Sequence, residues 1–303
     1  MMPPDGMRTR SQLLAAGYTD AELKALRRAG AVALVRRGAY VDPHDERLVD
    51  PAARHRLLVR ATVPRTAAGS VVSHASAAVL HGLPVEVPEY VHLTRHGSGG
   101  GRIAHRVHLH VTALGADEVV VRNGIALTSP ARTLVDLARS LPFSDAVVAA
   151  DSALADALLG RGELDLAVAG TDGRRGGPAV RRVAAFADGR AESVAESLSR
   201  VALLRCGLPA PVPQWPVPMP GGGVLARVDF GWPELRTVGE VDGRVKYGRL
   251  LRPGQSAGDA VYAEKLREDA IRAQGFGVVR WTWADIADFE RVARRLRATF
   301  RQA

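Results

Sequence analysis

The fold of the carboxy-terminal third is decided by the stretch Arg227–Gly243, with the sequence RVDFGWPELRTVGEVDG. An apolar run ends at a turn signal in residues 232–234, and a second apolar run returns from it, so the pattern predicts a β-hairpin. We expect Asp229 to end the first strand, with Glu240 and Asp242 two residues apart on the second. Alternate side chains of a strand point to one face, so the three carboxylates are expected to converge.

Three converging carboxylates predict a cation site. Like charges at close range cost free energy unless a cation or shared protons neutralise them. Carboxylate oxygens are hard ligands that suit Mg²⁺ or Mn²⁺, which otherwise keep water or phosphate oxygens in their shell. The stretch therefore predicts an Mg²⁺ (or Mn²⁺) site that acts on a phosphate ester.

Length and composition bound the remaining possibilities. A chain of 303 residues predicts two or three domains, and 47% apolar with 24% charged residues indicates globular rather than disordered segments. Lysine and arginine number 41 against 32 acidic residues, a net charge of +9, which favours a polyanionic partner. One cysteine, Cys206, excludes an internal disulfide framework and predicts a reducing cytoplasm. The polar amino terminus and the absence of a run of about 20 apolar residues predict neither a signal peptide nor a membrane span.

The first 45 residues predict a helix, a tight turn, a second helix and a small hairpin. The second helix begins with the capping box Thr19 to Glu22 and ends at Gly30. This order of elements is typical of a winged helix-turn-helix, and its basic residues divide between a major-groove helix and a wing on phosphate. The alternative is a solvated arginine face on a small helical domain. The predicted nucleic-acid-binding residues are Lys24, Arg27, Arg28, Arg36 and Arg37.

Short motifs in this region resemble the amino-terminal winged helix of AbiEi-type antitoxins, the transcriptional autorepressors of abortive-infection toxin–antitoxin pairs. They are AGYT at residues 16–19, AG at 29–30 and VRRGAYV at 35–41. Two later motifs, SHASAA at 73–78 and LTSPARTLVD at 127–136, resemble the scaffold that follows in such proteins. The resemblance implies a DNA partner and a cognate toxin.

The middle segment also carries a run of histidines, which raises a metal hypothesis. His108 and His110 share a predicted strand face, but the segment has no H-x-x-x-H helix and no nearby cysteine or acidic cluster. Basic strand residues that face phosphate or solvent suffice to explain them, so the sequence favours that interpretation over a metal site. Ser73, His74 and Ser76 lack the G-x-S-x-G elbow of a serine nucleophile. The other histidines in the run are His92, His96 and His105.

Past residue 189 the predicted order is helix, strand, strand, helix, strand, helix. Motifs in that order resemble the PD-(D/E)XK nuclease core, in its branch related to very-short-patch-repair endonucleases. They are ES at 192–193 and 196–197, GLP at 207–209, VDF at 228–230, EVDG at 240–243 and VR at 279–280.

This second resemblance implies that Asp229 and Glu240 are metal ligands and that Glu196 is a supporting acid. Asp242 stands where the wider superfamily has lysine, so Lys246 or Lys265 would supply the positive charge on the transition state. Two alternatives stay open: the acids merely flank a turn, or the fold survives without its chemistry.

We therefore expect an α/β chain, α+β overall, in four segments. These are a winged helix at 1–45, an antitoxin-like α+β scaffold at 46–169, a linker and connecting helix at 170–188, and a restriction-endonuclease-like domain at 189–303. As an enzyme, it would be an Mg²⁺-dependent endonuclease on DNA or RNA that the winged helix delivers. As a binding protein, it would repress a promoter or neutralise a toxin.

Overall fold

The computed structural model describes residues 6–97, 99–219, 221–242 and 257–302, so the predicted Lys246 lies outside the described residues. It divides into two compact units, Met1–Pro142 with Leu159–Ala184 (unit 1) and Phe143–Leu158 with Ala185–Ala303 (unit 2). Helices and mixed sheets occur in both, so the predicted α/β class is confirmed at this level. Within the described residues no helix is both long and apolar enough to span a membrane.

The helices and the strands are numbered separately, each in chain order. The helices are α1 (Arg10–Ala15), α2 (Asp20–Arg28), α3 (Pro51–Thr62), α4 (His74–His81), α5 (Pro130–Ser140), α6 (Phe143–Ala155), α7 (Arg161–Ala169), α8 (Gly177–Phe186), α9 (Val194–Arg205), α10 (Ala257–Ala273) and α11 (Glu290–Phe300). The strands are β1 (Arg8–Thr9), β2 (Ala33–Arg36), β3 (Ala39–Val41), β4 (Ser70–Val72), β5 (Val91–Arg95), β6 (Arg102–Ala104), β7 (Val107–Val111), β8 (Val119–Arg122), β9 (Ile125–Thr128), β10 (Val212–Pro218), β11 (Val224–Trp232), β12 (Thr237–Asp242) and β13 (Gly277–Thr282).

Unit 1 begins with a small module of two helices and three strands. Thr9 and Thr19 each close a capping box at the start of α1 and α2, which satisfies amide groups that would otherwise lack partners. The hairpin β2–β3 lies where the sequence predicted it, and its turn contains Gly38 at φ 77°. Strand β1 has no predictive pattern in the sequence; it pairs with β3 and gives the sheet order β1-β3-β2.

The rest of unit 1 is built on a six-stranded mixed sheet in the order β6-β7-β5-β4-β9-β8. Strands β5 and β7 run parallel, with the unpredicted β6 between them along the chain. The predicted β8–β9 hairpin is confirmed, and both turn residues, Asn123 and Gly124, have positive φ as a type I′ turn requires. The sheet packs around an apolar cluster that includes Val59, Val72 and Leu127.

Unit 2 contains the four-stranded sheet β10-β11-β12-β13, antiparallel except for β12 and β13. The predicted hairpin of β11 and β12 is confirmed, with Phe230 opposite Gly239. A Cβ atom on Gly239 would lie 2.7 Å from the Trp281 ring, so the close packing of that ring requires glycine here. The predicted proline-rich crossing is instead strand β10 at the sheet edge, where missing amide donors cost least.

Candidate functional site

Glu240, a predicted metal ligand, lies on β12 with a nearly buried carboxylate. Arg267 Nη2 donates to its Oε1 at 2.6 Å, and Arg280 Nη2 lies 2.7 Å from its Oε2. Burial raises the pKa of Glu240, and the two guanidinium groups oppose that rise. Both oxygens of this carboxylate therefore face positive side chains.

The two arginines also belong to a larger charge network. Each contacts Glu264 on α10, and Arg280 Nε lies 3.1 Å from Glu268 Oε2. Hydrogen bonds from Arg267 help to lower the pKa of Glu264 to about 2. Two arginines are thus shared among three carboxylates, and of the three acids predicted to hold a cation only Glu240 belongs to this network of described residues.

Asp229 lies on the neighbouring strand, and its Oδ2 accepts the Val241 amide hydrogen at 2.8 Å. Asp242 is the last described residue of β12 and is partly exposed. Lys265 is exposed on α10. The structure thus places Asp229 and Glu240 on adjacent strands, as predicted, but gives each a protein partner.

Glu196, the predicted supporting acid, lies in the first turn of α9 and is buried. Its Oε1 accepts from Ser193 Oγ at 2.8 Å, while its Oε2 accepts from the Glu192 amide at 2.9 Å and from Gln214 Nε2 at 2.8 Å. These contacts satisfy the carboxylate and fix the start of the helix.

As placed, Glu240 does not fit Mg²⁺ or Mn²⁺, because such ions need free, hard oxygen ligands and no competing cation, and both oxygens of this carboxylate are bound by arginine. The charges of Arg267 and Arg280 occupy the position that a metal would take beside Glu240. The metal-dependent chemistry stays a prediction from the sequence.

The predicted DNA-contacting residues lie in the amino-terminal module of unit 1. Lys24, Arg27 and Arg28 are exposed on α2. Arg37 is exposed in the β2–β3 turn, and Arg36 beside it is partly buried. The helix and the hairpin therefore both present positive charge to solvent.

Arg65 was missed by the sequence analysis. Its Nη1 donates to the Arg37 carbonyl at 2.9 Å and its Nη2 to the Gly38 carbonyl at 3.3 Å, so it fixes the hairpin turn. Burial lowers the pKa of Arg36, and the charge of Arg65 adds to that effect. No local signal identifies Arg65, because the contact joins residues far apart along the chain.

A histidine group also forms in unit 1. Among the described residues, one group of three side chains has ligand atoms all within 4.8 Å of one another: His74, His92 and His110. His92 and His110 belong to the run of histidines for which the sequence raised a metal hypothesis. His74 was considered there only as a neighbour of Ser73 and Ser76, which lack the motif of a serine nucleophile. His96 is exposed and lies outside this group.

The middle of the chain has a recognisable family signature. Residues 67–183 match the AbiEi antitoxin C-terminal domain. This confirms the predicted resemblance of the scaffold to AbiEi-type proteins. The match includes neither the first 66 residues nor most of unit 2, so the winged helix and the nuclease resemblance stay predictions.

The chain is also similar to two uncharacterized proteins of Mycobacterium tuberculosis, MT2308 of strain CDC 1551 / Oshkosh and Rv2248 of strain ATCC 25618 / H37Rv. Each is 36% identical over 173 residues, which cover 57% of this chain and 62% of the relative. The crystal structure of the RV2827C protein from Mycobacterium tuberculosis aligns with 71% of this chain and 84% of its own. Its TM-score of 0.39 at 18% identity supports no conclusion about function.

Proposed function

We propose that this chain is an antitoxin-type DNA-binding protein, which represses a promoter and neutralises a cognate toxin without catalysing a reaction. The observation that carries the proposal is the match of residues 67–183 to the AbiEi antitoxin C-terminal domain. The arginine-paired state of Glu240 supports the non-catalytic alternative over the endonuclease.

The amino-terminal module is the proposed DNA-contacting part. Its helix α2 is short and exposes Lys24, Arg27 and Arg28 along its length, as a helix in a major groove requires. The β2–β3 turn exposes Arg37 as a wing would, in position for backbone phosphate. Positive charge on two separate elements suits a duplex, which offers a groove and a flanking phosphate chain at once.

The arginines around the wing add an electrostatic argument. The charge of Arg65 contributes to the lowered pKa of Arg36, so the two guanidinium groups repel each other. A phosphate between or above them would relieve that repulsion and would be bound more tightly than by an isolated arginine. We therefore assign Arg65 to the phosphate-contacting set together with Arg36 and Arg37.

Fluorescence anisotropy with labelled duplex DNA from upstream of the gene tests the proposal. We expect the affinity of the native chain to fall steeply as salt rises, because each phosphate contact releases counterions. Arg37→Ala should weaken binding to every duplex and reduce the salt slope by about 1. Arg28→Ala should also reduce discrimination between this duplex and a scrambled one.

Arg205→Ala is the matched control, since Arg205 is an exposed arginine at the end of α9 in unit 2. Its affinity and salt slope should equal those of the native chain. If Arg37→Ala and Arg205→Ala lost the same amount of DNA affinity, the binding would be a non-specific effect of net charge. That result would overturn the proposed interface.

Nuclease activity stays a second candidate, favoured by one observation: Asp229 and Glu240 lie on adjacent strands of a mixed sheet. Plasmid nicking with Mg²⁺ or Mn²⁺ separates the two functions. The repressor proposal expects no nicking by the native chain. If the native chain nicks the plasmid and both Asp229→Ala and Glu240→Ala do not, the repressor proposal is wrong and the chain is an endonuclease.

A further inference from the structure

Three histidines of the sheet in unit 1 lie on one face. Strands β5 and β7 run parallel with His92 level with His108 and Thr94 level with His110. Because alternate residues share a face, His92, His108 and His110 project to the same side, and Leu93 projects to the other. Neighbouring rings are in contact, with 4.1 Å between the centroids of His108 and His110 and 4.9 Å between those of His92 and His108.

His74 joins this face from the start of α4. Its ring stacks on His110 with centroids 3.6 Å apart and planes 13° from parallel. Its backbone has φ 51°, a left-handed conformation that costs free energy for a residue other than glycine. That strain is accepted where the surrounding structure holds the side chain in a required position.

The ligand atoms of these rings have the spacing of a shared ion. His92 Nδ1 lies 3.0 Å from His110 Nε2, and the ligand atoms of His74, His92 and His110 are all within 4.8 Å of one another. In a tetrahedral zinc site with Zn–N of about 2.0–2.1 Å, two ligand nitrogens are roughly 3.3 Å apart. Because a metal lies in the plane of the imidazole that binds it, the stacked rings of His74 and His110 would have to turn about their broad χ2 torsions, out of the stack, to share an ion.

The environment keeps these imidazoles neutral. The side chains of His74, His92 and His110 are partly buried, and burial disfavours the charged imidazolium. Neutral imidazole is the form that coordinates a metal. The nearest acid, Asp136, is buried, and burial raises its pKa to about 6.

Asp136 supplies a second observation that is independent of the ring contacts. Its Oδ1 accepts from Arg132 Nε at 3.0 Å, but its buried Oδ2 has no hydrogen-bond partner and lies 3.8 Å from His74 Nδ1. Ser73 Oγ lies 3.0 Å from the same nitrogen. A proton on His74 Nδ1 would be donated to Ser73 Oγ and would face the Asp136 carboxylate, leaving Nε2 as the ligand atom; a small turn of the ring would bring Asp136 Oδ2 within hydrogen-bond distance, the arrangement by which carboxylates orient metal-bound histidines.

We propose that His74, His92 and His110 bind one divalent transition-metal ion, with Zn²⁺ preferred, and that Asp136 positions His74 from outside the coordination shell. Three imidazole nitrogens select Zn²⁺, Co²⁺ or Ni²⁺ over Mg²⁺ and Ca²⁺, which prefer oxygen. A set of three leaves the fourth position of a tetrahedral ion for water or an external ligand. This site is separate from the DNA-contacting module and does not depend on the proposed function.

Titration of the untagged, EDTA-treated chain with Co²⁺ and Zn²⁺ tests the site. We expect one Co²⁺ per chain with the visible absorption bands of a tetrahedral ion, and displacement of Co²⁺ by Zn²⁺. His110→Gln and His92→Gln should each weaken Zn²⁺ binding at least 100-fold. His96→Gln is the matched control, since this histidine is exposed just past β5, and should bind like the native chain.

Asp136→Asn tests the positioning role. It should weaken Zn²⁺ binding about 10–100-fold while the Co²⁺ spectrum keeps its tetrahedral form. Circular dichroism of each variant in EDTA distinguishes a lost site from a lost fold. The proposal is overturned if the native chain binds no Co²⁺, if a folded His110→Gln variant binds Zn²⁺ as tightly as the native chain, or if Mg²⁺ competes equally.

Discussion

The acidic cluster on β12 and the histidine cluster on β5 and β7 lie on two different sheets, and each places metal-ligating side chains close together. They differ in the charges of the side chains that contact them. Glu240 has an arginine at each carboxylate oxygen, so its charge is already neutralised. The side chains of His92 and His110 mainly contact other imidazoles, and the hydroxyl groups of Ser73 and Thr94 lie nearby. Whether a cluster can bind a cation therefore depends more on nearby positive side chains than on whether its ligands are carboxylates or imidazoles.

The largest expected effect comes from breaking the neutralised cluster. Glu240→Ala removes a buried carboxylate that binds Arg267 and Arg280, but both arginines are partly exposed and keep Glu264 as a partner, so unit 2 should lose about 3 kcal/mol of stability, the low end for breaking a buried ion pair. The four tryptophans all lie in unit 2, at positions 215, 232, 281 and 283, so their fluorescence during urea unfolding reports on this unit.

Glu234→Ala, at an exposed position in the same hairpin, should change the stability by less than about 0.5 kcal/mol. Mg²⁺ should not stabilise the native chain. If Mg²⁺ raised the Tm of the native chain and not that of Glu240→Ala, the carboxylate would be a metal ligand after all and the contrast between the clusters would disappear.

The next effect is the pH dependence of the stability of unit 1 in metal-free protein. The pKa values of His55, His92 and His110 are lowered to about 4 and that of His74 to about 2, from 6.5. Below pH 6.5 these histidines bind protons in the unfolded chain but stay neutral in the folded chain. The free energy of unfolding therefore falls as pH falls toward 4. Asp136 acts in the opposite direction, because its pKa is raised to about 6 in the folded state.

Burial also lowers the pKa of His81. These five histidines outweigh one aspartate, and partial exposure and mutual coupling reduce the sum, so we expect a loss of about 2–3 kcal/mol between pH 7 and pH 5. Far-UV circular dichroism should show this loss as an early transition without a tryptophan signal. The double variant His92→Gln, His110→Gln should flatten the dependence. A pH-independent first transition would show that these rings are charged or solvated.

The smallest effect contrasts two serines at helix starts. Ser193 caps α9 by accepting the Glu196 amide at 3.2 Å, whereas Ser73 makes no such bond and instead contacts His74 and Thr94. Ser193→Ala should cost about 1 kcal/mol and leave Zn²⁺ binding unchanged. Ser73→Ala should weaken Zn²⁺ binding severalfold, as measured by competition with Co²⁺. Equal effects of both changes on Zn²⁺ would show that Ser73 has no role in orienting His74.

Local signals predicted most of the elements correctly. The capping box at Thr19, the Asn123-Gly124 turn and the hairpin after Trp232 all depend on residues within a few positions of one another. Strand β10 was missed because its prolines argue against a strand, although the edge of a sheet tolerates them. The short β1 carries no periodic pattern and exists only through its pairing with β3.

Patterns along the chain were enough to predict the α/β class, the hairpin that carries Asp229 and Glu240, and the basic helix and turn at the amino terminus. They did not reveal that Arg267 and Arg280 bind Glu240, or that His74 stacks on His110 beside the unpartnered oxygen of Asp136, because these contacts exist only in the folded chain. The physical reason is that a side chain's ionic partners are set by contacts between distant segments, whereas helix caps, turns and strand faces are set by neighbours along the chain.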